Sequence, residues 1–142
     1  MLKGIPSILS PELLKVLMEM GHGDTLVIAD GNFPGAAMGQ RLVRLDGHGA
    51  APVLDAILTL MPLDTYVETP VSLMAVMPGD PVKTPIWDTY KGLIEKHEPG
   101  TKISHVERFQ FYDLARQAYC VIQTGETALY ANVLLQKGVV TG

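Results

Sequence analysis

Hydrophobic positions fall into two kinds of run. Leu13, Leu14, Leu17, Met18 and Met20 recur near helical spacing behind Ser10-Pro11-Glu12. There a capping hydroxyl, a proline at the first helical position and an acid in the first turn mark a helix start. Gly21 suits its stop. Thr25-Leu26-Val27-Ile28-Ala29 is instead an unbroken apolar run without alternation, which predicts a strand buried on both faces. It ends at Asp30, and Gly31-Asn32-Phe33-Pro34 reads as loop.

The two kinds of run then alternate. Residues 41–45 predict a strand, 52–61 a helix, and 71–77 a strand closed by Pro78-Gly79-Asp80-Pro81. Thr84-Pro85 repeats the cap-plus-proline signal and opens a helix to about His97, stopped by Glu98-Pro99-Gly100. Residues 102–107 predict a strand, 109–117 a helix with Phe109 and Phe111 in the core, 119–123 a strand, and 130–136 a last strand or strand-like segment. This alternation predicts an α/β protein: a single three-layer domain over residues 1–142, with a mixed, largely parallel sheet flanked by helices.

Composition narrows the function classes. The 142 residues are 47% hydrophobic and 18% charged, enough apolar surface for a filled core, a buried subunit interface, or both. Lys+Arg 11 against Asp+Glu 15 gives a net charge of −4 without a basic stripe, so no nucleic-acid partner is expected. No apolar stretch is long enough to span a bilayer, and Lys3-Gly4-Ile5-Pro6-Ser7 does not open a secretory leader. A cytoplasmic protein is the expectation. Cys120, the single cysteine, lies in an apolar run and reads as a small core residue.

Candidate chemistry collects at the ends of predicted strands, where open α/β sheets bind ligands. Asp30 follows a strand, and reads either as a loop cap or as a ligand contact. His22 lies in Gly21-His22-Gly23-Asp24, between a helix end and a strand. It is either a helix-end histidine or a proton-transfer group. His48, in the similar turn Asp46-Gly47-His48-Gly49, and His97 and His105 are weaker candidates. No metal-ligand spacing, phosphate loop, dinucleotide fingerprint or nucleophile elbow occurs, so no metal or cofactor is expected. Arg108-Phe109-Gln110-Phe111-Tyr112 sets a guanidinium among aromatics at a strand-to-helix junction, and Asn132 opens an apolar run. Arg, Tyr, Asn and Asp together are what a polyol requires, since each hydroxyl seeks a donor and an acceptor.

Read in order, several segments resemble one family. They are Leu9-Ser10-Pro11-Glu12-Leu13-Leu14, Met20-Gly21-His22-Gly23-Asp24, Ala29-Asp30 with Asn32-Phe33-Pro34, and Leu63-Asp64-Thr65-Tyr66-Val67-Glu68. Glu107-Arg108-Phe109 with Phe111-Tyr112, Thr124-Gly125-Glu126-Thr127-Ala128-Leu129-Tyr130-Ala131-Asn132, and Lys137-Gly138-Val139 complete the set. The chain resembles the L-fucose mutarotases, in the family that also holds the D-ribose pyranases. The resemblance implies a cofactor-independent isomerase of carbohydrate metabolism that binds a monosaccharide, L-fucose or a related aldose. It implies His22 as the catalytic residue and sugar contacts from Asp30, Asp64, Arg108, Tyr112, Tyr130, Ala131 and Asn132. It gives His48 no role. It further implies a ring-shaped homo-oligomer, a decamer, with sites near subunit contacts. The segment from Arg108 to Tyr112 favours the fucose branch, whereas Ala131 stands where fucose mutarotases often carry glycine, as the ribose branch does not.

The implied reaction exchanges the α and β anomers of a pyranose by acid–base ring opening and closure. Two rivals stand beside it: a D-ribose pyranase, exchanging pyranose and furanose, and a non-catalytic monosaccharide-binding protein linked to sugar transport.

Overall fold

The computed structural model describes residues 1–142. Its elements, in chain order, are α1 (Pro11–Glu19), β1 (Thr25–Ala29), α2 (Gly35–Met38), β2 (Leu42–Leu45), α3 (Ala50–Leu60), β3 (Val71–Met74), α4 (Pro85–His97), β4 (Ile103–Val106), α5 (Arg108–Gln117), β5 (Cys120–Thr124) and β6 (Val133–Gln136). The strands form one sheet in the order β2-β5-β1-β6-β3-β4. β1 pairs parallel with β5, β5 with β2, and β3 with β4, while β6 runs antiparallel to both its neighbours β1 and β3. The expected mixed, largely parallel sheet is therefore present, and the odd strand is the last one.

Helices cover both faces. Leu13 and Leu17 of α1, Leu54 and Ile57 of α3, and Tyr90 and Ile94 of α4 meet Leu26, Ile28, Ile122 and Leu135 on one face. Phe111 and Ala115 of α5, with Phe33, meet Val27, Ala29 and Val121 on the other. Successive β1 residues thus enter opposite cores, which is why that strand is continuously apolar. Cys120 is fully buried, and burial pushes its thiol up to about 11.

Local signals explain most boundaries. Ser10 caps α1, its Oγ accepting from the Leu13 N–H at 3.2 Å. Thr84, expected to cap α4 likewise, makes no such bond. α1 stops not at a left-handed Gly21 but at an extended Met20, and Lys137 Nζ donates to the Leu17 and Met20 carbonyls at 2.8 and 2.5 Å. The charged amine takes over carbonyls that a helix end leaves open. Four strands are shorter than expected, and β5 is shifted by one residue, to Cys120–Thr124. β3 ends at Met74 rather than residue 77, because the Met77 N–H turns away to the Tyr130 phenol at 3.4 Å. β4 ends before Glu107, whose carboxylate caps α5 by accepting from the Phe109 and Gln110 N–H groups. β6 begins at Val133 rather than 130, since Tyr130 has a positive φ of 54°. Phe109, expected in the core, is 59% exposed, while Phe111 is fully buried. The short α2 was not anticipated; at four residues it carries no helical periodicity.

Candidate functional site

The sheet's directions decide which side chains meet. Five strands run one way, so the ends of β1, β3 and β5, the start of α5 after β4, and the start of antiparallel β6 share one edge. A cavity of about 290 Å³ opens there, lined by Asp30, Asn32, Phe33, Met74, Asp80, Arg108, Tyr112, Leu129, Tyr130 and Asn132. This is the strand-end crevice where α/β sheets bind small molecules, at the small end of the usual range.

Asp30 and Asn132 form its floor. The Asp30 N–H donates to Asn132 Oδ1 at 2.8 Å. The Asp30 carboxylate accepts from the Asn32 N–H at 3.0 Å and the Ala131 N–H at 3.3 Å. Behind it, Gln123 Nε2 donates to the Asp30 carbonyl at 2.6 Å, and the Tyr90 hydroxyl donates to the Ala131 carbonyl at 2.6 Å. Asp30 is 4% exposed, and burial raises its pKa above the ordinary aspartate value, against the lowering by those backbone N–H groups. A carboxylate so placed keeps lone pairs free for ligand hydroxyls. On the rim, Arg108 Nε donates to the Tyr112 hydroxyl at 2.9 Å, and the Tyr130 hydroxyl donates to Asp80 Oδ2 at 2.7 Å.

Of the residues expected from sequence, Asp30, Arg108, Tyr112, Tyr130, Ala131 and Asn132 converge here. His22 and Asp64 do not. His22 precedes β1 whereas Asp30 follows it, and a five-residue strand alone spans roughly 16 Å. At that opposite edge His22 Nε2 lies 3.0 Å from Asp64 Oδ1, and the His22 ring stacks at a tilt on Tyr66 with centroids 5.1 Å apart. Asp64 Oδ1 also accepts from the Tyr66 N–H at 3.0 Å and Oδ2 from Gln136 Nε2 at 3.0 Å. The Tyr66 amide first, with His22 and Gln136 adding to it, holds the Asp64 carboxyl below its usual pKa despite the opposing effect of burial. Gly23, at φ 88°, lets the chain double back so that its N–H reaches the Lys137 carbonyl at 2.9 Å. The His22 side chain is 46% exposed, beside a Tyr66 that is 76% exposed.

His48 lies in the turn between β2 and α3, His97 Nε2 pairs with Asp55 at 2.6 Å, and His105 stacks on Trp87; none enters either cluster. No three His, Cys, Asp or Glu side chains are grouped to hold a metal ion. Sequence reasoning missed Asn32, Phe33, Met74, Asp80 and Leu129 as lining residues. Asp80 looked like turn punctuation, and the only signal against that was an acid between two prolines on a loop following a strand.

The fold and cavity define an α/β protein with a monosaccharide-sized site, part polar and part apolar, at its strand ends. The chain belongs to the RbsD / FucU transport protein family, whose model matches residues 3–140. It is 46% identical to the fucose mutarotase of Homo sapiens, over 97% of this chain and 94% of that one. The crystal structure of FucU from Bifidobacterium longum is 60% identical with a TM-score of 0.95, covering 98% of this chain and all of the other. The fucose mutarotase of Streptococcus pneumoniae, solved in complex with L-fucose, is 49% identical with a TM-score of 0.93, covering 99% of this chain and all of the other. RbsD of Bacillus subtilis complexed with D-ribose is more distant, at 25% identity and a TM-score of 0.70 over 94% and 95% of the two chains.

Proposed function

We propose that this protein is a cytoplasmic L-fucose mutarotase that interconverts the α and β anomers of its sugar. The observation that carries the reading is the convergence of Asp30, Arg108, Tyr112, Tyr130 and Asn132 on one small cavity, in a chain close to mutarotases along its whole length. The more distant match to the ribose-bound relative places fucose ahead of ribose.

In the proposed mechanism one acid–base group takes the anomeric hydroxyl proton and hands it to the ring oxygen bonded to the same carbon. The bond from C1 to the ring oxygen breaks, leaving an aldehyde and a free hydroxyl. Rotation about C1–C2 presents the other carbonyl face, and the hydroxyl re-adds with the proton transfers reversed. His22 is the acid–base group. Its Nε2–H faces the Asp64 carboxylate, which leaves Nδ1 as the working nitrogen. Asp30, Arg108, Tyr112, Tyr130, Asn132 and the Ala131 backbone hold the hydroxyls. Positioned proton transfer contributes about 10²–10⁴-fold.

Because His22 lies at the far edge of its own sheet, a second copy supplies it. The assembly is a ring-shaped homo-oligomer, a decamer, in which His22 and Asp64 of the partner subunit close the cavity. Exposed Phe109 and Leu129 near the cavity, and exposed Tyr66 and Val67 near His22, provide the apolar surface such a contact buries.

The test is exchange-type proton NMR of the anomeric signals of L-fucose and D-ribose. Faster fucose exchange with the wild type, lost in His22→Ala, is expected. Sugar binding without faster exchange would make the protein a binding protein, and acceleration of ribose alone would make it a pyranase.

A further inference from the structure

Tyr130 is the one non-glycine residue with a positive φ, at 54°. A bulky side chain rarely adopts that conformation unless its surroundings over-determine it. Here three contacts do so. The Tyr130 hydroxyl donates to Asp80 Oδ2 at 2.7 Å and accepts from the Met77 N–H at 3.4 Å. At the other end of the residue, Trp87 Nε1 donates to the Tyr130 carbonyl at 2.8 Å. Asp80 is itself fixed. Its N–H donates to the Met77 carbonyl at 3.0 Å across a turn that needs Gly79 at φ 85°, and its Oδ1 accepts from the Val82 N–H at 3.1 Å. The conformation of Tyr130 in turn sets where Ala131 and Asn132 meet Asp30.

We propose that Asp80 is a positioning residue of the sugar site, which holds Tyr130 in its left-handed conformation and fixes the phenol as a hydrogen-bond acceptor toward the ligand. The phenolic proton is committed to the carboxylate, so the remaining lone pair faces the cavity. The same hydrogen bond pushes the Tyr130 phenol above its ordinary pKa, which keeps that proton in place. Asp80 acts through Tyr130. Since this role rests on the cavity being the mutarotase site, its test needs a readout independent of turnover.

Trp87 provides it, as the only tryptophan of the chain, hydrogen-bonded to the Tyr130 carbonyl. The indole N–H resonance of Asp80→Ala, Asp80→Asn, Tyr130→Phe and the double variant Asp80→Ala/Tyr130→Phe is recorded beside their KM and kcat for L-fucose exchange. Asp80→Ala is expected to move the indole resonance and to raise KM about tenfold, with a smaller change in kcat, the scale of one lost charge-assisted hydrogen bond. Asp80→Asn, which keeps an acceptor oxygen, restores the resonance and most of KM. The double variant is no worse than Tyr130→Phe, because both changes remove the same link. An unmoved resonance and wild-type KM in Asp80→Ala would overturn the proposal. So would multiplicative losses in the double variant, which would mean that Asp80 touches the sugar itself. A wild type that fails to accelerate exchange would defeat the mutarotase reading alone, since the indole shift still reports the link from Asp80 to Tyr130.

Discussion

His22 Nε2 and Asp64 Oδ1 lie 3.0 Å apart, with the carboxylate 2% exposed and the imidazole 46% exposed. A carboxylate can only accept, so it selects the imidazole tautomer with the proton on Nε2 and leaves Nδ1 free. Asp64→Asn presents either an amide nitrogen or a neutral oxygen instead. It is expected to lower kcat for fucose exchange by about 10–100-fold with KM within about threefold, the pattern of a group acting in the transition state. Anomeric exchange NMR measures both, and an unchanged kcat would remove Asp64 from the proton path.

Asp30 and Asp64 are displaced in opposite directions, and their effects on stability have opposite signs. An unfolded aspartate titrates near about 3.9. Asp64 lies below its ordinary value when folded, so its contribution is fully present above the unfolded value and is lost as pH falls through the folded one. Asp30 lies above it, so the folded state binds the proton more tightly, and stability is lost as pH rises from the unfolded value through the folded one. Carboxyl-carbon NMR titration should find Asp30 above about 3.9 and Asp64 below it. The reverse order would contradict the bonding described at both sites.

Lys137 ties the last strand to the helix before His22. Its ammonium donates to the Leu17 and Met20 carbonyls, and its own backbone pairs with Gly23 and Asp24. Lys137→Met keeps much of the stem but leaves those carbonyls without the charge. A loss of about 1–3 kcal/mol is expected, at roughly 2–4 °C of melting temperature per kcal/mol for a domain of this size. A melting temperature within a degree of wild type would show that water replaces the amine.

How much of this was legible in the sequence depends on the kind of signal. β1 could be read to the residue because burial on both faces leaves an unbroken apolar run. The start of α1 was equally plain, because a cap and a proline act locally. The direction of β6 could not be read, since pairing partner and sense are tertiary facts that leave no periodic mark. Phe109 and Phe111 look alike in sequence, and only the docking of α5 buries one and exposes the other. Asp80 stayed hidden because its partner Tyr130 is 50 residues away. The separation of His22 from Asp30 went unread, although a predicted strand stood between them and the two ends of a strand lie apart.

That separation makes the proposed oligomer testable by mixing two inactive proteins. His22→Ala lacks the proposed proton-transfer group but keeps an intact cavity, and Asn132→Ala disrupts the cavity floor but keeps His22. If each site joined residues of one chain only, every site in a mixed assembly would remain defective. If each cavity takes His22 of the partner subunit, some interfaces pair a native cavity with a native histidine. For random 1:1 assembly through a head-to-tail ring contact, about a quarter of the sites are whole. Co-refolded or co-expressed mixtures should therefore recover about a quarter of wild-type fucose exchange, whereas the separately assembled proteins combined afterwards recover none until subunits exchange. No recovery after co-assembly, with mixed oligomers confirmed by native mass spectrometry, would return His22 to its own chain and require a large rearrangement of the loop from Gly21 to Asp24.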